Sequence, residues 1–267
     1  MITVNVDTSQ LEKKLLEKSI LMKKSLGTVL RDEGRLLALT LAKYTQPFGL
    51  DDKAKGMGES AILKDCTEAF YILPDDLCAK ATPIASGQYA GYMQIFAKKT
   101  GTVYVTPQAN WRIADSTQTL FRYHQGLRNK DGRVRRNRNK IDMNGNVAVI
   151  NLWVITKGQF AAYLPVIQKE VGFAKSGWVT CARQLGGIRG SSANGSDTPK
   201  PWVTRHNAPG RVIDKTTDEK PTITLVNEVN YTSHVLSASG LRGAIAERAT
   251  KIQLSIDRAV KYGVKDK

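Results

Sequence analysis

Apolar and polar residues alternate in ITVNV at 2–6, the period of a half-buried strand, and predict a short strand at a sheet edge. Ser9 and Glu12 then make a capping box, in which the hydroxyl accepts from the amide at position 12 and the carboxylate reaches back. From there to Tyr44, apolar residues recur at steps of three, four and seven: Leu11, Leu15, Met22, Leu26, Val29 or Leu30, and Leu37. Lys13, Lys14, Lys24, Arg31 and Arg35 occupy the opposite face. The pattern predicts one long amphipathic helix, about 54 Å if unbroken, with Gly27 and Gly34 as places for a bend. A helix of that length spans its subunit or projects onto a neighbour, which makes Leu11, Leu15 and Met22 candidate subunit-interface residues. TQPFG at 45–49 ends it, because Pro47 disfavours helix at Gln46 and Gly49 can turn the chain.

Polar LDDKAKGMGES at 50–60 reads as a loop, followed by a helix over 60–72 with Ile62, Cys66 and Phe70 on one face, Leu63 beside them and Pro74 at its end. Asp75 and Asp76 suit a turn or an N-cap better than catalysis. A second helix is predicted over 86–97, with Tyr89, Tyr92, Met93 and Phe96 as its core or interface face. A strand is predicted over 102–106 and a helix over 115–127. Asn144-Gly145 lies between apolar runs, the signature of a type I′ hairpin turn. NVAVINLWVI at 146–155 reads as a strand buried on both faces.

The clearest periodicity follows. Phe160, Leu164, Ile167, Val171, Ala174, Trp178, Cys181 and Leu185 form one helical stripe, which Pro165 should kink or restart and Gly186-Gly187 should stop. Residues 188–221 hold four prolines and little pattern, and read as an extended arm with bounds 186–221. Trp202 and Val203 in its middle are further candidate interface residues, since an exposed Trp favours packing against another subunit. TITLVNEVNY at 222–231 is a strand with Ile223, Leu225 and Val229 inward. The last helix, 239–262, carries Leu241, Ile245, Ile252, Ile256 and Val260 on one face. The whole reads as a single α+β domain over 1–267: long N-terminal and C-terminal helices packed on a mixed or antiparallel sheet, with extended loops or arms.

Charge changes this picture at one place. The chain of 267 residues has a net charge of +16, and FRYHQGLRNKDGRVRRNRNK at 121–140 sets Arg122, Arg128, Lys130, Arg133, Arg135, Arg136, Arg138 and Lys140 against Asp131 alone. This basic loop and hairpin, 121–145, is either a solvated surface loop or a contact for phosphates or an acidic neighbouring subunit. Cys66, Cys78 and Cys181 show no CxxC spacing, and His124, His206 and His234 no HExxH or HxH. Each cysteine reads as a small buried residue, and the composition calls for no metal, cofactor or catalytic residue. GGIRG at 186–190 matches neither a Walker loop nor GxGxxG in a βαβ unit. No apolar run reaches the roughly 18 residues of a spanning helix, and MITVNVDTSQ lacks a signal-peptide pattern, so the expected place of synthesis and residence is the cytoplasm, away from membranes.

Several stretches resemble the small assembly proteins of tailed bacteriophages, the tail-completion and head–tail joining (neck) proteins. They are the first helix running into TQPFG at 45–49, the segment VGFAKSGWVTCARQLGGIRG at 171–190, and the ending LVNEVNYTSHV…LRGAIAERATKIQLSIDRAV. The resemblance covers about the first fifty residues and parts of the last hundred, leaving 50–170 largely unmatched. It implies a homo-oligomeric ring subunit of the virion, without catalytic residues, that meets neighbouring head, connector or tail-tube proteins. The basic block would then face acidic neighbours or packaged DNA. The alternative is a non-sequence-specific nucleic-acid-binding protein using 121–140, although no helix-turn-helix, zinc-finger, RRM or KH signature is present.

Overall fold

In a computed structural model of the chain, the described residues are 2–6, 21–73, 81–97, 102–107, 120–122, 124, 147–149, 153–191, 195, 197–218 and 221–262. The fold is α+β, and the chain forms two compact units rather than the single domain expected: Met1–Gly58 with Val171–Lys267, and Glu59–Glu170.

The first unit is built on a three-stranded antiparallel sheet of order β1 (Ile2–Val6), β9 (Thr222–Asn227), β8 (Gly210–Lys215). β1 is the expected edge strand, in register from Ile2 opposite Asn227 to Val6 opposite Ile223. The central strand β9 buries Ile223, Leu225, Val226 and Asn227. Helix α1 (Leu21–Tyr44) packs on β9, on α4 (Phe173–Gln184) and on α7 (Ala238–Tyr262). Its buried positions Leu30, Glu33 and Leu37 recur at steps of three and four, and from Leu37 to Ala42 every residue is buried, so this part of the helix is covered on all sides. Gly34 marks close approach: a Cβ there would lie 3.2 Å from Ile223 Cγ2 and 3.3 Å from Leu185 Cδ1. Full burial of Leu37, Leu41, Trp178 and Leu225 contributes about 1.5–3 kcal/mol each.

The second unit has a parallel strand pair, β2 (Phe70–Leu73) with β7 (Trp153–Thr156), and a four-stranded sheet of order β3 (Ala81–Pro83), β4 (Tyr92–Ala97), β5 (Thr102–Pro107), β6 (Val147–Val149). Cys66, Ala69, Phe70, Leu120, Ile155 and Tyr163 form its core, with Ile62, Phe160, Leu164 and Ile167 packed around them.

Several local expectations change. The expected loop at 50–60 is helical, because the Asp51 carboxylate accepts from the Ala54 amide (2.9 Å) and starts α2 at Asp52; α2 runs to Ala69, and Phe70 already begins a strand. The expected helix at 86–97 is a turn leading into β4, since Gly87 and Gly91 take φ of 86° and 82° and Gly91 bonds back to Ile84. NVAVINLWVI supplies two strands in two different sheets, β6 and β7. The stripe from Phe160 to Leu185 is split between α3 (Lys157–Gln168) and α4, and Pro165 sits inside α3 without ending it. The break comes at Gly172, φ 95°, where a Cβ would meet the Trp202 ring at 2.8 Å. The expected arm contains α5 (Pro201–Thr204) and the whole of β8, so it is part of the first unit's frame. Among the described side chains of α7, Ala244 and Arg248 are buried, while Ile245 of the expected stripe is 41 % exposed. A turn helix, α6 (Thr232–Val235), joins β9 to α7.

Candidate functional site

Of the basic block, Arg122 is described and exposed, flanked by buried Leu120 and His124. Arg128, Lys130, Arg133, Arg135, Arg136, Arg138 and Lys140 lie outside the described residues, as do Leu11, Leu15, the capping box, Asp75, Asp76, Cys78 and the Asn144-Gly145 turn. Met22 lies on α1, with its side chain outside what is described. Trp202 and Val203 are not exposed interface residues: they are 4 % and 0 % exposed, packed within the first unit. The Trp202 ring lies beneath Gly172 and 6.0 Å from Lys175 Nζ, so the packing that an exposed Trp would seek from a neighbour is made inside the chain.

The centre of the first unit is Lys175, which composition and motif reading passed over. It is fully buried on α4, and its ammonium donates to the carbonyls of Ala42 (2.7 Å), Thr45 and Gly49 (2.9 Å). The last turn of a helix leaves carbonyls without intrahelical partners. At the end of α1 these are met one by one: the Leu41 carbonyl by the Thr45 amide and hydroxyl, Ala42 by Lys175, and Lys43 by the Gly49 amide. A cation at a helix C-terminus is also favoured by the macrodipole. Burial pushes the Lys175 pKa down to about 7, with Asp51 acting in the opposite direction. The loop 45–50 is further pinned by the Gln46 amide on the Val235 carbonyl, 2.8 Å, and presents Phe48 at 55 % exposure.

Asn227 is the second organising residue. Its amide donates to the Ala174 carbonyl (2.8 Å), and its oxygen accepts from the Val229 amide and the Thr232 hydroxyl, both at 3.1 Å. Gly177 leaves the space that this amide fills. A third buried polar group joins α1 to α7, where Arg248 pairs with Glu33 and the Ser255 hydroxyl donates to the same carboxylate at 2.7 Å. Beside it, Glu247 lies 3.6 Å from Lys43 and 3.5 Å from Lys251, and these groups line a crevice of mixed polarity with Leu36, Leu39, Asp197 and Arg248.

Cys181 fulfils its expected role on the stripe: it is buried, its thiol donates to the Val226 carbonyl (3.5 Å), and burial pushes its pKa up to about 11, which keeps it protonated. In the second unit His124, Cys66 and Tyr163 converge. His124 Nδ1 meets the Tyr163 hydroxyl at 3.0 Å and Cys66 Sγ at 3.9 Å, and Nε2 meets the Asp65 carboxylate at 3.0 Å. The ring therefore bridges the Asp65 carboxylate at one nitrogen and the Tyr163 hydroxyl at the other. Phe70 closes the group edge-on at 5.8 Å from the His124 ring. Among the described residues no three His, Cys, Asp or Glu side chains are grouped to hold a metal ion, and no helix is long and apolar enough to cross a membrane.

No protein-family model, curated protein or solved structure matches this chain. The functional reading therefore rests on the sequence and on this geometry.

The missed residues share one signal, their phase. Lys175 stands four positions after Val171 and three before Trp178, on the core side of the stripe, and Arg248 stands four after buried Ala244. A charged residue in an apolar phase marks a buried polar lock.

Proposed function

We propose that this chain is a structural subunit of a tailed-bacteriophage virion, one copy of an oligomeric ring at the head–tail junction (neck) or the top of the tail. The observation that supports this reading is that the scattered stretches resembling phage assembly proteins come together in one folded unit. Lys175, from 171–190, holds the carbonyls of TQPFG at 45–49; Asn227, from LVNEVNY, holds the Ala174 carbonyl; and Arg248, from the terminal helix, holds Glu33 of the first helix. Three buried polar ties therefore connect these stretches within one folded unit. The test is electron microscopy and sedimentation of the purified full chain, with mass spectrometry of virions from the parent phage. Rings or particle-bound copies are expected. A chain that stays monomeric at high concentration and is missing from particles refutes the reading.

The second reading, non-sequence-specific nucleic-acid binding, draws on the eight basic residues of 121–140 and the exposed position of Arg122. It requires duplex affinity that falls steeply between about 50 and 200 mM salt. Replacing Arg133, Arg135, Arg136 and Arg138 by Ser should remove that affinity. If the same substitutions block assembly and leave DNA binding unchanged, the block contacts protein.

A further inference from the structure

We infer that residues 59–170 are an inserted module that folds and unfolds as a cooperative unit of its own inside the frame formed by 1–58 and 171–267. Three independent observations lead there. First, among the described residues each sheet closes within one unit: β1, β9 and β8 pair with one another, and β2 pairs with β7 and β3 to β6 form one sheet in the second unit. Second, each unit has its own core and its own buried polar lock. Cys66, Ala69, Phe70, Leu120, Ile155 and Tyr163 surround the Asp65–His124–Tyr163 chain in one. The other buries Trp178, Leu37, Leu41 and Leu225, and its buried polar groups are Lys175 and Asn227 with their carbonyl partners.

Third, both units bring the two ends of the insertion together. In the frame, Gly58 packs so closely under Val171 and Pro47 that a Cβ would lie 2.7 Å from Val171 Cγ1 and 2.9 Å from Pro47 Cγ. In the module, the Gln168 side-chain amide donates to the Glu59 carbonyl at 3.1 Å. A folded module whose ends lie together spares the frame the entropy of closing that loop. Once the module unfolds, the frame closes residues 59–170 as a flexible loop, at a cost that grows only with the logarithm of loop length, so the frame can outlast the module's order. The basic run 121–140 falls within the module by sequence position.

This inference does not depend on the virion reading, since its test uses the unassembled full-length chain. Hydrogen exchange read by mass spectrometry across a urea series gives a midpoint for peptides of each unit. Tyr163→Ala should lower the midpoint of peptides from 59–170 by 1 M or more, an order-of-magnitude shift, and leave frame peptides within error. Lys175→Met should do the converse. Complete loss of protection over 59–170 in Tyr163→Ala, with the frame still protected, supports the inference in its strongest form. One shared transition that both variants move together overturns it, and so does Tyr163→Phe, the milder variant, if it shifts both sets of peptides equally.

Discussion

Lys175→Met isolates the contribution of one buried ammonium, because methionine fills much of the same volume with no charge and no donor. In the native chain that ammonium is the partner of three carbonyls, Ala42, Thr45 and Gly49. Leaving each without a donor costs about 1–3 kcal/mol, so the gross loss is on the order of 3–9 kcal/mol, with a further fraction of a kcal/mol for the cation lost from the end of α1. Against this, methionine no longer carries the desolvation penalty of a buried charge, several kcal/mol. The net expected loss is about 2–4 kcal/mol, which lowers the urea midpoint of the first unit by roughly 1–2 M. Peptides from 41–50 should also exchange faster in the native state, because the loop loses two of its anchors. Arg31→Met is the control: its partner Asp214 is at 2.6 Å, but the pair is half exposed and should cost below about 1 kcal/mol. Equal stability of Lys175→Met and the native chain would mean that water or rearranged donors satisfy these carbonyls, and would refute the account of Lys175 as the cap of α1.

Three further outcomes follow from the same geometry. Lys175 holds its proton less tightly in the fold, at about 7, than its ordinary 10.5, so between those values the unfolded chain binds more protons and the site's contribution to stability rises with pH. The stability of the native chain relative to Lys175→Met should therefore increase from pH 6 to pH 9 in paired urea titrations, and a constant difference would show that the lysine stays charged throughout. Glu33→Leu should cost about 3–5 kcal/mol by leaving buried Arg248 unpaired, whereas Glu33→Leu with Arg248→Met should recover most of it in a double-mutant thermal-unfolding cycle. Gly177→Ala places a methyl group into the Asn227 amide, and an expected loss of about 1–3 kcal/mol by urea unfolding should shrink when Asn227 is shortened to Ser in the same chain.

The sequence alone determined the elements whose local and tertiary demands agree. β1, the body of β9, the end of α1 at TQPFG and the extent of the terminal helix stand where periodicity and stop signals put them, because an apolar repeat and its stop signal are local. It did not determine which body each element joins. The stripe from Phe160 to Leu185 keeps its phase across Gly172, yet α3 belongs to one unit and α4 to the other, since period reports a face and is silent about what covers it. Composition misled where side-chain chemistry decided locally: the Asp51 cap made 52–58 helical despite Gly56 and Gly58, and Gly87 and Gly91 turned an aromatic stripe into a hairpin. Trp202 read as exposed because its cover, Gly172, lies thirty residues away. Lys175, Asn227 and the Glu33–Arg248 pair acquire their roles only in the tertiary structure. Phase within one segment marks Lys175 and Arg248 as buried, but their partners arrive from distant segments, and no spacing within one segment names them.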